Sequence, residues 1–383
     1  MTQTYKFTHF QISAGYPDDV FWTQFAALWQ NSQDRSPFKS PHIMQDFALL
    51  SGDKVRAVQY YKNGELKGAV FLKLEKNNLS FLSDLKSDAN FFVFDQDCTK
   101  EDWKWFFEHL LQKAAEENWT LTLNNQPHWA QYMETFEKVG RASGMFWQNF
   151  AYSVCPIAEY ESPEALFQDV HKSGKLRYYV NRLITQEKAV FEALTDDSGM
   201  EQWVEEFCNC HVDRWAGTPT PSGYQTEASR KFLTKCLRAW SADNLLVRFS
   251  IQVPGRRIGF IIGLRQEKSL ILHSTTYHPD YKKHSPGKAL IHFMAEWMSK
   301  NNFSILDFGD GNEAYKYTVA NKEKQLNRIF TAGKWNLGFI ARARFIKSIK
   351  GKNRVYEIYQ KRIKPALRNF KRKLAQYHLP FPM

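Results

Sequence analysis

Several features that would settle the class of this chain at once are missing from it. In 383 residues there is no apolar run approaching the roughly 20 needed to cross a bilayer. The opening MTQTYKFTHFQISAGYP has no hydrophobic stretch behind a basic start, so neither membrane spanning nor secretion is expected. Five cysteines, Cys98, Cys155, Cys208, Cys210 and Cys236, are odd in number and scattered. That excludes a disulfide framework and fits a reducing cytoplasm. Cys208, Cys210 and His211 lie close together, but no second ligand pair follows at a zinc spacing, and no metal is expected. Gly-x-Ser-x-Gly, the strained turn of many serine hydrolases, does not occur. Gly309 and Gly311 do not open a helix between two strands, so they are no dinucleotide fingerprint.

Acid is what the C-terminal segment lacks. Residues 334–378 hold 14 Lys and Arg against the single acid Glu357, so the net charge of +12 resides there and the rest of the chain is close to neutral. Val355, Ile358, Tyr359, Ile363, Leu367, Phe370 and Leu374 recur in this segment at helical spacing, with Pro365 as a break. A basic amphipathic helix suits an anionic membrane surface or a polyanion, or docks its apolar stripe on the body.

What is present reads as α/β. With 43% hydrophobic residues the chain is long enough for two cores. Strands are expected over 54–61 and 67–74 around the hairpin signal Asn63-Gly64, then near 78–82, followed by a helix over 100–118 and a strand over 119–123. The same order recurs later: strands over 245–253 and 258–264 around Pro254-Gly255, a third over 269–276, a helix over 288–301 and a strand over 304–307. Between the two units come a strand over 146–156, a helical stretch over 162–186 with the basic centre HKSGKLRYYVNRL, and helices over 200–210 and 227–239. The expected division is 1–157, 158–333 and a basic helical tail, 334–383.

The stretch from Tyr281 to Lys316 carries the most information. Ser285, Pro286 and Gly287 ahead of a helix form a corner whose first amides lack helical partners and suit a bound phosphate. The strand over 304–307 then delivers Asp307, Asp310, Glu313, Tyr315 and Lys316 beyond its carboxyl end, where ligands usually sit in open α/β sheets.

Five segments together resemble the acetyltransferase-fold proteins of the polysaccharide-biosynthesis type, related to the cellulose-biosynthesis protein CelD and more distantly to the Fem peptidoglycan aminoacyltransferases. They are PFKSP at 37–41, the basic segment 172–182, HVDRW at 211–215, YHPDY before SPG, and DFGDGNEAYK. In the last motif Asp307, Phe308, Gly311, Glu313, Tyr315 and Lys316 match, while Asn312 stands where an acid is common and Ala314 where Pro is common. The resemblance implies two tandem GNAT-like domains with mixed sheets. The C-terminal copy would bind acetyl-CoA or another acyl-CoA through Tyr281, Ser285, Gly287, Lys288 and Ala289. The glycines of the usual pyrophosphate loop are reduced to Gly287, and LKSDANFFVFDQD ahead of the first helix has none.

Direct acyl transfer needs a base for the acceptor, donors for the oxyanion and an acid for the leaving thiolate. Candidate bases are Glu313, first because it matches the family pattern, with Asp307, Asp310 and His273; Tyr315 is the candidate acid. His211, Arg214, Trp215 and Lys316 are candidates for the acceptor side, and Lys172, Lys175, Arg177, Asn181 and Arg182 for a phosphate contact. Each of these side chains also has an ordinary structural role open to it, as a cap, a packed ring or a solvated charge. The expected activity is acyl-CoA-dependent N- or O-acylation of a sugar or glycan precursor of the cell envelope, at the inner face of the cytoplasmic membrane. Two alternatives stand beside it: a Fem-like transferase using aminoacyl-tRNA, and a silent scaffold recruited by its tail.

Overall fold

The computed structural model describes residues 8–84, 87–218 and 221–350. The first half runs β1 (Thr8–Ala14), α1 (Asp19–Gln30), α2 (Pro41–Ser51), β2 (Val55–Lys62), β3 (Glu65–Glu75), β4 (Asn78–Phe81), β5 (Val93–Phe94), α3 (Lys100–Glu116), β6 (Thr120–Pro127), α4 (Met133–Ala142) and β7 (Phe146–Glu159). The second half begins α5 (Pro163–Lys172), α6 (Gly174–Glu187), β8 (Val190–Leu194), α7 (Met200–Arg214), α8 (Glu227–Ala242), β9 (Leu246–Val253) and β10 (Arg256–Gln266). It ends β11 (Ser269–Tyr277), α9 (Pro286–Lys300), β12 (Ile305–Asp307), β13 (Lys322–Ala332) and α10 (Leu337–Lys350). The remainder of the basic tail lies outside the described residues.

Local chemistry explains the expected elements. Asn63 and Gly64 both have positive φ, 55° and 83°, as the hairpin turn between β2 and β3 requires. Thr99 and Asp102 form a reciprocal capping box at the start of α3. The stretch expected as one helix over 162–186 is two, because Ser173 leaves the helical region (φ −65°, ψ 96°) and caps α6 through its hydroxyl. The helix expected from 288 starts earlier, at Pro286, whose missing N–H costs nothing in the first turn.

All strands join one mixed sheet in the order β1-β2-β3-β4-β6-β13-β7-β12-β11-β10-β9-β8, with β5 on β3. The order is the same from either end. In the first half an antiparallel meander leads through the crossover helix α3 to the parallel pair β4 and β6; in the second it leads through α9 to β11 and β12. The last strand of each half then changes places. β7 pairs with β12, β13 pairs with β6, and the two lie against each other over eleven register positions. One face of the sheet is covered jointly by α1, α2, α7 and α8, whose Phe25, Met44, Trp203 and Phe207 share one core with Phe71 and Phe260. The other face carries two separate packs, α3 with α4 and α5, α6 with α9. Among the described residues no helix is long and apolar enough to cross a membrane.

Candidate functional site

The site begins where β11 and β12 part. They are paired only through Ser269–Ile271 and Ile305–Asp307, so among the described residues the rest of β11 has no neighbouring strand on that side. The bond from the His278 amide to the Ile258 carbonyl (2.8 Å) fixes which residues face β10. By the alternation of an antiparallel ladder, Thr275 and Tyr277 turn their amides and carbonyls away from β10, into the gap. One of these groups is already used: Arg214 Nη1 donates to the Thr275 carbonyl at 3.4 Å, and its guanidinium lies 4.1 Å from the Tyr277 ring centre.

The far end of β11 leads to the corner at Ser285–Gly287 that the sequence marks as an anion site. Ser285 adopts the left-handed conformation (φ 51°) and offers no side-chain cap to α9. Fewer amides are free there than the sequence suggests. The Ser285 carbonyl receives the amides of Lys288 and Ala289, the Ser285 amide goes to Lys282, and Pro286 has none. That leaves the Gly287 amide without a partner among the described residues. Charge makes up for this. Arg182 Nη1 reaches the Lys283 carbonyl (3.3 Å) and Lys288 Nζ lies 5.6 Å from the Tyr179 ring, so α6 brings its basic segment beside the exposed Lys282 and Lys283. A Cβ at Gly287 would meet nothing nearer than Tyr277 Cδ1 at 4.0 Å, so the backbone is open to a ligand. One free amide at a helix start, a cationic rim and an unpaired strand edge fit the pyrophosphate and the amide-bearing arm of an acyl-CoA.

The near end of β11 meets the loop after β12. Asp307 is buried and accepts the Gly309 amide at 2.8 Å; burial holds its pKa above the ordinary carboxylate value. Gly309 (φ 65°) and Gly311 (φ 113°) adopt conformations only glycine enters freely. A Cβ at Gly309 would stand 2.7 Å from Asp88 Oδ2, so Asp88 packs directly against this turn, and its other oxygen accepts the Asp310 amide at 3.2 Å. Lys316 is the clamp. Its buried ammonium donates to the carbonyls of Gly309, Asp310 and Gly311 (3.2, 2.8 and 3.2 Å) and pairs with Glu313 at 3.0 Å. The Asp310 carboxylate accepts from the Ser153 hydroxyl and from Asn125 Nδ2 (3.4 Å), and burial raises its pKa. His273 Nδ1 lies 3.7 Å from Asp88, with the ring between Phe38 and Trp240.

Asp310 and His273 open onto a cleft of about 740 Å³ between the halves. Its walls combine Ser80, Asn90 and Asn124 of the first half with Tyr224, Phe232 and Trp240 of the second. Glu313 is not among its walls. More than half of its side chain is exposed, and Lys316 holds it on the outer rim. Tyr315 is also peripheral, its phenol pushed up to about 12 by partial burial and the nearby Glu313. His211 bonds to the Ser222 hydroxyl (2.9 Å) and packs against Trp215 and against Tyr224, which it backs rather than lining the cleft itself. Among the described residues no three His, Cys, Asp or Glu converge as a metal site. Asp88, Asn90, Asn124, Asn125 and Ser153 had no motif to mark them. The available signal was positional: Asn124 and Asn125 lie in the C-terminal half of β6, the first half's counterpart of β12.

Residues 171–317 match the family model described as acetyltransferase (GNAT) domain. No curated protein matches the sequence. Among solved structures, L-PGS from Bacillus licheniformis aligns with a TM-score of 0.56 at 12% identity, covering 88% of this chain and 99% of that one. The C-terminal domain of a putative lysylphosphatidylglycerol synthetase from Agrobacterium fabrum gives 0.56 at 10%, covering 85% and 95%. FemX gives 0.57 at 10%, covering 80% and 95%. At these identities the likeness is one of fold. The doubled α/β order and the match over residues 171–317 agree: the chain has a tandem GNAT-like fold, with the similarity to the GNAT acetyltransferase model confined to residues 171–317.

Proposed function

We propose that the protein is an acyl-CoA-dependent N- or O-acyltransferase whose acceptor, a sugar or glycan precursor of the cell envelope, occupies the cleft between the halves. The observation that carries this is the course of β11. A single strand runs from the anion corner at Tyr277, along an edge with free backbone groups, to His273 at the cleft. A carrier laid along it would present its thioester carbonyl where the cleft begins. The acceptor nitrogen or oxygen attacks that carbonyl carbon and gives up its proton to Asp310, whose raised pKa strengthens it as a base. Outward amides of β11 are the donors for the oxyanion. As the C–S bond breaks, the sulfur takes a proton from Tyr315, which stays protonated at neutral pH.

A second reading is aminoacyl transfer from a charged tRNA. Its support is that the neighbours spanning most of the chain include structures named as lysylphosphatidylglycerol synthetase and FemX. Under either reading α10 and the turn before it support a peripheral place at the cytoplasmic face of a membrane, since exposed Trp335 of the turn and Leu337 and Phe345 of the helix are interspersed with Arg342, Arg344 and Lys347.

The deciding experiment is calorimetric titration with acetyl-CoA and longer acyl-CoAs. Binding is expected in the native protein and should weaken at least tenfold in Gly287→Asp, where a carboxylate would face the pyrophosphate. Absence of binding to every acyl-CoA, with binding of charged tRNA, would transfer the assignment to aminoacyl transfer.

A further inference from the structure

Among the described residues the first half's crossover helix α3 opens on the Thr99–Asp102 capping box, yet this half supplies most of the polar wall of the cleft. That wall has an unusual polar character. Asn90 is 3% exposed, and its Nδ2 donates to the Asn124 carbonyl at 3.2 Å, which fixes the carboxamide orientation. Its Oδ1 is then left buried with no donor among the described residues, and Asn124 Oδ1 is likewise buried without one. A buried acceptor without a donor costs about 1–3 kcal/mol, and native proteins leave few of them. Two on one wall of one cleft are a pattern a ligand would complete.

The charges of the cleft point the same way. Lys73 is paired with Glu75 at 2.7 Å, and the Arg328 guanidinium lies 3.5 Å from the Tyr152 ring centre, so both cations of the lining are already engaged. The Asp310 carboxylate is held by the neutral donors Ser153 and Asn125, and among the described residues no ammonium or guanidinium is hydrogen-bonded to it. The facing wall is largely apolar or aromatic, with Tyr224, Phe232 and Trp240. A polar wall with these two unpartnered amide oxygens, beside a largely aromatic one, fits a molecule that brings N–H or O–H groups along its edge and C–H groups across its face. A volume of about 740 Å³ exceeds what one sugar ring fills and lies within the range of pockets that enclose a ligand.

We infer that the first half is the acceptor-recognition module, and that the cleft takes an amino sugar with a free amine, in an oligosaccharide of at least two rings, read by Asn90, Asn124 and Asp310. The chemical step assumed for this ligand rests on the acyl-transfer reading above; its binding does not. A free amine offers charged donors to these oxygens. An acetamido group in its place brings a carbonyl against acceptors.

The test is calorimetric titration of the full chain with the β-1,4-linked disaccharide of glucosamine, its di-N-acetylated form and cellobiose. The diamine should bind at least tenfold more tightly than either of the others. Asn90→Leu and Asn124→Leu should each weaken it about tenfold while leaving acetyl-CoA affinity unchanged. Asn124 is the less buried of the two, so it carries the test if Asn90→Leu does not fold. Equal affinity for the three disaccharides, or full affinity in a folded variant, overturns the inference. Diamine binding without acetyl-CoA binding would sustain the inference while removing the acyl-CoA reading, and the reverse result would do the opposite.

Discussion

Asp310 and Glu313 stand three residues apart on one loop, and the fold gives them opposite surroundings. Asp310 is turned inward, bonded to Ser153 and Asn125 and desolvated; Glu313 is turned outward and neutralised by Lys316. The family pattern favours Glu313, the geometry Asp310. Accordingly, Glu313→Gln should keep activity within about threefold, whereas Asp310→Asn should lower kcat by roughly a hundredfold or more with acyl-CoA affinity intact. The sign of the pH effect follows from the direction of the shift. Burial raises the Asp310 pKa, and a base must be ionised, so activity should climb with pH through a value above the ordinary 3.8. A pH–rate profile in which Asp310→Asn retains the acidic limb would remove Asp310 from this role. The loop itself was legible from its sequence because glycine, acid and lysine types crowd into it. Asp88 was not, since nothing in LKSDANFF says that its carboxylate will pack against Gly309, more than 200 residues away.

At the scale of elements, periodicity found the meanders and crossover helices of both halves to within a few residues, since each has an alternating or amphipathic pattern of its own. It passed over β1, β5, β8 and β13, which are short or paired with segments distant in sequence, and the helices α1, α2 and α4, and it merged α5 with α6 because one hydroxyl cap decides that break. α10 bears on function in a way periodicity alone did not separate from docking. Ile340 and Ala343 are buried against the body, and Gln148 Nε2 donates to the Ala343 carbonyl at 2.9 Å. Trp335, 91% exposed, and Phe345 nevertheless remain outside among basic residues. The helix therefore docks on one side and keeps basic and aromatic side chains exposed on the other. Vesicles rich in phosphatidylglycerol should pull down the protein and shift the tryptophan emission to the blue, while phosphatidylcholine vesicles should not. Replacing Arg342, Arg344 and Lys347 by Glu should abolish the binding. Retention by that variant would mean that charge is not what brings α10 to the surface.

The repeated order of the two halves was legible in the sequence, but their exchange of strands was not, because β7 and β13 read as strands without naming a neighbour. The exchange changes what a half can be. The boundary expected at 157/158 falls within β7, whose final residues pair with β12 of the other half. A fragment ending at 159 would keep β7 but lose β13, its partner along almost the whole strand and the neighbour of β6. It would also bare the faces of α1 and α2 that share a core with α7 and α8. A fragment starting at 160 would leave β12 and β13 without β7. Large apolar faces and unpaired strand edges of this kind drive aggregation. Residues 1–159 and 160–383 expressed separately should therefore be insoluble or bind hydrophobic dyes, whereas the two co-expressed should purify as a one-to-one complex that still binds ligand at the cleft between them. Cooperative unfolding of the isolated 1–159 fragment as a monomer would show that the halves are independent domains that merely touch. The expected dependence instead ties the proposed function to architecture, because the proposed carrier corner belongs to one half and most of the polar wall of the cleft to the other, and the exchanged strands hold the two in register.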